Sequence, residues 1–538
     1  MTLPPTIPII FLILGALAVG ASDLARLRRP SLVMVIASAL ALVAVVALRP
    51  ATPITQIVSD WQPVSVFGAP ISFRVDQTAW IIAVGFVVAC LATALTWLAY
   101  PGQHRPAPRA LSLLLIAAAL ASVFASNLLT LAIAWGLLDI VFAGTLLVRR
   151  GPQVGRRAAL AIMLNTSATI CVWIATLLIE NEHGSLYWHL LSPSEAARAW
   201  LIAAAVLRVG LYPLHQQLPI ELGHEPDRAV LLFAVPTTIG LALWSRLAIA
   251  QALPTESIVP ILAVLSALVG SVLAWSSSQA RAGLPFIALS LSGFALINVT
   301  AGAEASTFTA VTLNWLFVIV GLFIARGFDR QTPWWSIGAL IAGLSIVGVP
   351  GTLGFVVQMP AIIGSMAADR WWMLAGILIA QTLLVAAMIR LIFSPVSNDE
   401  RPIDPLRQVS FALAMACAAL PLIVFALTPA LVPDVRSIQQ VLGDVTAATG
   451  LIWALPVAIG ITLALRDRRA DMATPEALPP AWTNALRLEW LNAIMAFFVQ
   501  RMTAFLRGLG SVFEGEGGLI WVMILVIVGL VLTSGALK

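Results

Sequence analysis

Residues Arg208–Pro219 read R-V-G-L-Y-P-L-H-Q-Q-L-P and lie within a long apolar stretch. The segment brings a guanidinium (Arg208), a helix breaker (Pro213) and an imidazole (His215) within about two helical turns of one another. At bilayer depth a charged side chain is costly, and a helix break frees backbone groups that must be satisfied again. Such segments normally mark an ion or substrate path, so this one predicts the functional centre of a membrane protein.

Composition places the whole chain in the membrane. Hydrophobic residues make up 60% and charged residues 10% of the 538 residues, and the mean hydropathy is +0.97. One water-soluble core cannot hide that much apolar surface. The apolar runs are continuous and about 16 to 24 residues long, which suits helices that cross a bilayer. We predict an all-α polytopic fold of about sixteen spans, near residues 6–22, 30–48, 78–99, 110–125, 127–148, 157–179, 198–216, 229–250, 257–276, 283–302, 307–326, 335–355, 371–394, 408–431, 447–465 and 518–535.

Basic residues fall in every second predicted connection, which sets the expected orientation. Because arginine favours cytoplasmic loops, these connections are expected in the cytoplasm and both termini on the opposite side, in the inner (cell) membrane of a prokaryote. The net charge of +5 follows from the same arginines and does not indicate nucleic-acid binding. The basic connections contain Arg26, Arg28, Arg29, His104, Arg105, Arg109, Arg149, Arg150, Arg156, Arg157, Arg281, Arg326, Arg330, Arg401, Arg407, Arg466, Arg468 and Arg469.

The sequence offers no signature of a cofactor. Cys90, Cys171 and Cys417 lie singly in apolar spans, without the paired spacing of a metal, haem or iron–sulfur site. The G-x-G-x-x-G dinucleotide fingerprint is absent. We expect no cofactor, no metal and no catalytic residue in this chain.

Two predicted spans contain helix breakers, at Pro213 and at Pro350-Gly351. Broken helices in two halves of a bundle are typical of inverted-repeat transporters, although proline and glycine also kink membrane helices without such a role. We predict N-terminal spans over 1–109, a first repeat over 110–250, a second over 251–395, C-terminal spans over 396–465, an interfacial segment over 466–517 and a final span over 518–538.

The interfacial segment is predicted to contain an amphipathic helix of about 30 residues from Ala481 to Phe513. Its apolar residues recur at helical spacing and polar residues occupy other positions. The apolar set is Trp482, Leu486, Trp490, Ile494, Phe497, Phe498, Met502, Phe505 and Leu509.

The stretch Ala203–Pro219 resembles the seventh-span signature K-S-A-Q-x-P-x-H-x-W-L-P of the antiporter-like membrane subunits. These subunits are shared by respiratory complex I (NADH:quinone oxidoreductase), membrane-bound hydrogenases and multi-subunit cation/proton antiporters. The tail beyond residue 465 is similar to the large subunit with a lateral helix, which straps neighbouring subunits together. Collinear similarity runs from about residue 70 to 395 and includes S-F-R-V-D at 72–76, S-N-L-L with A-W at 126–135, 281–293 and P-G-T-L-G-F-V at 350–356.

The resemblance implies that protons move along a buried row of Lys, His and Glu across the mid-membrane plane. Several positions of that row have lost a titratable group in this chain. Gly136 replaces the fifth-span Glu and Gln358 replaces the twelfth-span Lys or Glu. The eighth-span position falls near Leu232, Phe233 or Thr238.

Three charged or titratable residues of the first predicted repeat are candidates for such a row. Arg208 replaces the seventh-span Lys and stays charged at any accessible pH. His215 is kept, and Asp139 follows Gly136 by three residues on the same helix face, where it is placed to substitute for the missing Glu. One hypothesis is that Asp139 neutralises Arg208 while His215 shuttles protons over a shortened path. The other is that Arg208 and Asp139 form a fixed buried ion pair in a subunit that no longer conducts.

Other polar residues within the spans are expected to have structural roles. We expect Asn165, Asn298 and Asn314 to form interhelical hydrogen bonds more often than a water-filled proton wire. Arg246 and Arg390 lie toward span ends, where long cationic side chains usually reach the interface.

The resemblance implies a membrane-arm subunit of a complex I-like proton-translocating oxidoreductase, either translocating ions or serving as a degenerate scaffold. Redox chemistry would then belong to its partners, which would include other membrane subunits. A first alternative is a subunit of a multi-subunit cation/proton antiporter or a related ion-coupled uptake system. A second is a purely structural membrane subunit.

Overall fold

The chain folds into two compact units, Met1–Pro479 and Pro480–Lys538. The computed structural model describes residues 3–22, 30–59, 68–99, 106–148, 152–215, 226–250, 258–277, 280–300, 307–327, 335–393, 405–432, 435–469, 480–488 and individual positions from 490 to 508.

The first unit is a helical bundle with one small hairpin. Its strands are β1 Ile54–Ser59 and β2 Ile71–Val75. Its helices are α1 Thr6–Gly20, α2 Pro30–Leu48, α3 Gln77–Ala99, α4 Pro106–Phe124, α5 Leu128–Leu147, α6 Pro152–Asn181, α7 Glu195–Val209, α8 Pro226–Ile249, α9 Val259–Ser276, α10 Leu284–Thr300, α11 Thr307–Gly327, α12 Trp335–Val347, α13 Leu353–Ala367, α14 Trp371–Phe393, α15 Pro405–Leu427, α16 Ile438–Asp444 and α17 Ala447–Arg469.

Long apolar helices confirm the predicted all-α, multi-pass membrane fold. Within the described residues, 11 helices are long and apolar enough to cross a bilayer, and shorter apolar helices accompany them. The interior is built around α11, whose apolar window is 100% buried, and α8, whose window is 94% buried. The window of α17 is only 22% buried, so this helix lies at the periphery of the unit. The predicted last span at 518–535 lies outside the described residues.

The span predicted over 335–355, with helix breakers at Pro350-Gly351, is two helices, and the extent of the second helix corrects the sequence prediction. Helix α12 ends at Val347, and α13 starts at Leu353 and continues to Ala367. No separate helix was predicted over 356–367. Hydropathy cannot place this boundary, because the chain remains apolar through the break at residues 348–352. Pro360 inside α13 further obscured the helix.

The β-hairpin was not predicted, and it anchors one end of the bundle. Strands β1 and β2 pair antiparallel. The backbone of Phe73 forms an isolated bridge with Ala125, and that of Asn127 forms one with Tyr187. The Asn127 side chain accepts a hydrogen bond from the Thr130 amide at 2.8 Å and so caps α5. The β-branched residues of I-T-Q-I-V-S and I-S-F-R-V were the available strand signal.

In each of the two segments predicted as repeats, the fourth element is interrupted. The first holds α4, α5, α6, α7 and α8, and its fourth helix stops at a break. The second holds α9, α10, α11, the α12–α13 pair and α14, and again the fourth element is interrupted.

The second unit begins with helix α18, Pro480–Leu486. The predicted continuous helix over 481–513 is interrupted, because Leu488 adopts a left-handed φ of 54°. Helical positions resume at Trp490 and recur to Gly508. Amphipathic spacing does not reveal this interruption, since no glycine or proline lies at residues 481–489. Five large apolar side chains of this unit are exposed, namely Trp482, Trp490, Ile494, Phe497 and Phe505, whereas Leu488 is buried.

Candidate ion-pair site

Arg208 lies in the last turn of α7, directly before the helix ends. The helix stops after Val209 because Gly210 adopts a left-handed φ of 73°, and the Gly210 amide donates to the Val206 carbonyl at 3.1 Å. The negative end of a helix dipole favours a cation in the last turn. The end of α7 at Gly210 therefore places a partial negative charge near the guanidinium and offsets part of the cost of burying it.

The Arg208 side chain is fully buried and pairs with Asp139 of α5. Arg208 Nη1 donates to Asp139 Oδ1 at 2.5 Å. Thr169 Oγ1 of α6 donates to the other carboxylate oxygen, Asp139 Oδ2, at 2.6 Å. Three helices thus meet at one carboxylate, and both of its oxygens accept hydrogen bonds.

Trp135 and Asn165 complete the surroundings of the guanidinium. The Arg208 Cζ atom lies 4.4 Å from the centre of the Trp135 ring, which is a cation–π distance. Arg208 Nη1 also donates to Asn165 Oδ1 at 3.0 Å. Trp135 and Asp139 are four residues apart on α5, and so share one helix face. Asn165 and Thr169 have the same spacing on α6.

Helix α8 packs against the end of α7 at Gly240. A Cβ atom at Gly240 would lie 2.8 Å from the Val209 nitrogen and 3.0 Å from the Arg208 carbonyl carbon. Contacts this short are essentially absent for real Cβ atoms, so the position requires glycine. The close approach holds the backbone of Arg208 in place.

Gly136 and Asp139, three residues apart on α5, have different surroundings. A Cβ atom at Gly136 would have no neighbour within 4 Å among the described residues. Asp139, by contrast, is 8% exposed and contacts two other helices. Asp139 therefore lies on the part of α5 that meets Arg208.

His215 lies beyond the break of α7. Its side chain is 1% exposed, and its ring stacks on Tyr212 with 5.4 Å between ring centroids. The Tyr212 amide donates to Ser266 Oγ at 2.9 Å, which ties the break to α9. Gln358 lies at the other break, where Nε2 donates to the Ile346 carbonyl at 2.5 Å.

The four residues predicted for a proton path therefore lie in three settings. Asp139 and Arg208 are in direct contact, His215 is stacked beyond the α7 break, and Gln358 is bonded to α12. Pro213 follows the end of α7, and Pro350 with Gly351 lies between α12 and α13.

The chemistry of the pair is that of a fixed charge. A guanidinium does not release its proton at any accessible pH. The two oxygens of Asp139 accept from Arg208 and Thr169. The arrangement compensates a buried cation and joins α5, α6 and α7.

Several side chains around the Arg208–Asp139 pair were not predicted. Trp135 and Thr169 were not predicted as partners of the pair, although each lies four residues from another member on its own helix. Asn165 contacts a charge on α7 and Asn314 Oδ1 accepts from Ser345 at 2.7 Å, as interhelical bonding predicts. Asn298 instead donates within its own helix, to the Phe294 carbonyl at 2.9 Å.

Two arginines near span ends, Arg246 and Arg390, have partners within the protein. Arg390 donates to two carbonyl groups at the end of α9. One belongs to Ser277, just beyond the helix, at 3.2 Å, and the other belongs to Trp275, within the last turn. Arg246 forms a partly buried pair with Asp76, and their side chains are 13% and 27% exposed. Guanidinium groups near helix C-termini satisfy carbonyl groups that would otherwise lack donors.

The Asp76–Arg246 pair joins the start of α3 to the end of α8. Asp76 Oδ1 accepts from the Ala79 amide at 2.8 Å, so the carboxylate also caps α3. Burial by itself raises the pKa of the Asp76 carboxyl. Arg246, the Ala79 amide and Arg74 outweigh burial and hold this pKa below its ordinary value of 3.8.

Asp76→Asn is expected to lower the free energy of unfolding by about 1 to 2 kcal/mol, because Asn keeps the helix cap but loses the charge. A depressed carboxyl pKa stabilises the fold above the unfolded-state pKa, and that stability is lost as pH falls through the folded-state pKa. The deficit should therefore be constant from pH 8 to about pH 5 and shrink only in strong acid. Unfolding in mixed detergent micelles at several pH values measures it.

The exposed pair Arg436–Asp444 provides the matched control. Its atoms are 3.0 Å apart and its side chains are 44% and 51% exposed. Asp444→Asn should change the free energy of unfolding by no more than about 0.5 kcal/mol. Equal effects of the two substitutions would show that burial gives the Asp76 pair no added strength.

Comparison with known proteins finds similarity to antiporter-like membrane subunits. No family model matches the chain. It is 26% identical over 206 residues to NADH-quinone oxidoreductase subunit N of Thioalkalivibrio sulfidiphilus, covering 34% of this chain and 43% of that protein. It is 24% identical over 327 residues to subunit N of Thiobacillus denitrificans, covering 53% and 67%. The matches thus span only part of these relatives.

Solved structures share the fold at low identity. A chain of the Mrp complex from Dietzia sp. DQ12-45-1b matches with a TM-score of 0.72 and 19% identity, over 99% of this chain and 63% of that chain. An archaeal membrane-bound sulfane sulfur reductase gives 0.70 and 15%, over 98% and 99%. Respiratory complex I from Thermus thermophilus gives 0.66 and 18%, over 86% and 100%. The resemblance to antiporter-like subunits predicted from the motifs is confirmed.

Proposed function

We propose that this chain, which has the fold of the antiporter-like membrane subunits, is a membrane-arm subunit of a complex I-like, proton-translocating assembly. In this proposal redox chemistry takes place in partner subunits, and the chain provides a part of the membrane arm. The chain would lie in the inner membrane of a prokaryote with both termini outside the cytoplasm. The alternation of basic connections supports that orientation.

The observation that carries the proposal is the buried Arg208–Asp139 pair at the interrupted helix α7. A buried charge destabilises a helix bundle in lipid unless an opposite charge compensates it. Its place at a break, in a chain similar to ion-translocating subunits, supports an origin as part of an ion path.

The geometry favours a fixed pair over a proton relay as the present role of this site. Arg208 cannot release a proton, and both oxygens of Asp139 accept hydrogen bonds. Lysine occurs in the whole chain only at Lys538, so the first repeat has no lysine to exchange a proton with His215. In this proposal the subunit braces its neighbours, and the equivalence of the segments 110–250 and 251–395 reflects an ancestral pair of repeats.

A subunit of a multi-subunit cation/proton antiporter is the second candidate. The match to a chain of the Mrp complex over 99% of this chain supports it. The two candidates differ in their partners. Hydrophilic iron–sulfur and flavin subunits are expected in the first case, and small antiporter subunits in the second.

Purification of the tagged full-length chain from its own membranes in mild detergent tests both candidates. Mass spectrometry is expected to find stoichiometric redox subunits. Small membrane subunits alone would replace the first candidate by the second, and a chain isolated without partners would contradict both.

Proton flux is then measured in vesicles containing the assembly. Flux should be unchanged in the charge-free double variant Asp139→Asn, Arg208→Met, and loss of flux in an intact assembly would contradict the fixed-pair role.

A further inference from the structure

The break between α12 and α13 leaves the carbonyl groups of the last turn of α12 without helical partners. In a bilayer each such group needs a donor, since no bulk water is present. In transporters with broken helices, freed carbonyl groups of this kind coordinate a cation. The donors that reach these carbonyl groups therefore show whether the break can hold an ion.

Backbone amides of the break satisfy the first two carbonyl groups. The Val349 amide donates to the Leu344 carbonyl at 3.0 Å, and the Gly348 amide donates to the Ser345 carbonyl at 3.2 Å. These bonds close the end of α12 as a compact turn.

Side chains from three other helices satisfy the remaining two. Gln358 Nε2 of α13 donates to the Ile346 carbonyl at 2.5 Å. Gln381 Nε2 of α14 donates to the Val347 carbonyl at 3.2 Å, and Trp453 Nε1 of α17 donates to the same oxygen at 2.9 Å. All four carbonyl groups of the last turn thus have a donor within the protein.

The two glutamines are also bonded to each other. Gln381 Nε2 donates to Gln358 Oε1 at 3.2 Å, and the two residues are 1% and 8% exposed. Gln381 Oε1 is the one amide oxygen of this group without a donor among the described residues. A single neutral oxygen falls short of the several that a hard cation requires.

The start of α13 is equally satisfied and equally neutral. The Gly354 amide donates to Ser345 Oγ at 3.0 Å, and Ser345 Oγ donates to Asn314 Oδ1 at 2.7 Å. Among the described side chains of α8 to α17 that are fully buried, none is charged. The described part of these helices thus offers no fully buried acid that would balance a cation or support a proton relay here.

We propose that the side-chain N–H groups of Gln358, Gln381 and Trp453 together close the α12–α13 break, so that the second repeat has no ion site at its interruption. These three side chains are called the clasp. This inference rests on the proposed function, because it assigns any remaining charge route to the first repeat.

Gln358→Glu tests the clasp with a nearly isosteric change. An ionised carboxylate cannot donate and a protonated one has a single O–H donor in place of the two of the amide, so the hydrogen bond to the Ile346 carbonyl is weakened or lost. The thermal midpoint of the purified assembly should fall by about 3 °C or more. Gln358→Met, which removes the donor without adding charge, should also lower it. Gln439→Glu, on the exposed side chain of Gln439 in α16, is the matched control and should leave it unchanged.

Flux measurements in vesicles supply the second readout. Neither proton nor sodium flux should rise in Gln358→Glu relative to the unmodified assembly. A variant as stable as the unmodified assembly, or one with increased flux, would overturn the clasp. Recovery of partner subunits with the tagged chain reports the proposed function separately. Intact recovery together with a stable Gln358→Glu variant would reject the clasp alone, whereas a solitary unmodified chain would reject the proposed function alone.

Discussion

Replacing Asp139 by Asn is expected to lower the free energy of unfolding by about 3 to 5 kcal/mol. The substitution leaves the fully buried Arg208 guanidinium without its counter-charge. Arg208→Met should cost a similar amount, since the Asp139 carboxylate is then left unpaired. Unfolding by SDS in mixed micelles measures each variant.

The double variant separates the value of the pair from the penalty of breaking it. Asp139→Asn with Arg208→Met removes both charges and should recover most of the loss, to within about 1 kcal/mol of the unmodified protein. The same cycle on the exposed pair Arg436–Asp444 should give an interaction energy of less than about 1 kcal/mol. Additive losses in the buried pair would contradict mutual compensation.

Trp135→Ala is expected to lower the free energy of unfolding by about 3 to 5 kcal/mol. The ring is fully buried and lies beneath the Arg208 guanidinium, so its loss opens a cavity and removes a cation–π contact. Trp135→Phe keeps an aromatic face and should cost less than about 1.5 kcal/mol.

The cation–π part is isolated by comparison with Trp244, which is equally buried. The loss in free energy of unfolding caused by Trp135→Leu should be smaller by about 0.5 to 2 kcal/mol when Arg208→Met is already present. Trp244→Leu should be insensitive to that background. Equal sensitivity of the two positions would show that Trp135 contributes packing alone.

The fold class was predictable because apolar runs long enough to span a bilayer dominate the sequence. The contact between Asp139 and Arg208 was also predictable, since a buried guanidinium needs an acid and few acids lie within the spans. The helix break at residues 348–352 was recognisable from Pro350 and Gly351, but the extent of α13 was not. Its length depends on packing against α12 and α14, and hydropathy carries no information about that packing.

The polar details depended on tertiary neighbours that one sequence does not reveal. Gln358 was read as a lost titratable group, whereas its amide donates to a carbonyl that α12 leaves open. Thr169 was indistinguishable from the many threonines that bond within their own helix. The interruption at Leu488 breaks an otherwise regular amphipathic pattern without a local sequence signal.

The order of Asp139 and Arg208 along the chain has a consequence for how the ribosome delivers them to the membrane. Asp139 precedes Arg208 by 69 residues. At about 5 to 20 residues per second, the carboxylate waits on the order of 3 to 14 s before its guanidinium is synthesised. A lone Asp at the centre of an inserting helix costs roughly 2.5 to 3.5 kcal/mol. Biogenesis must therefore shelter α5 in the translocon, or beside an insertase, until α7 emerges.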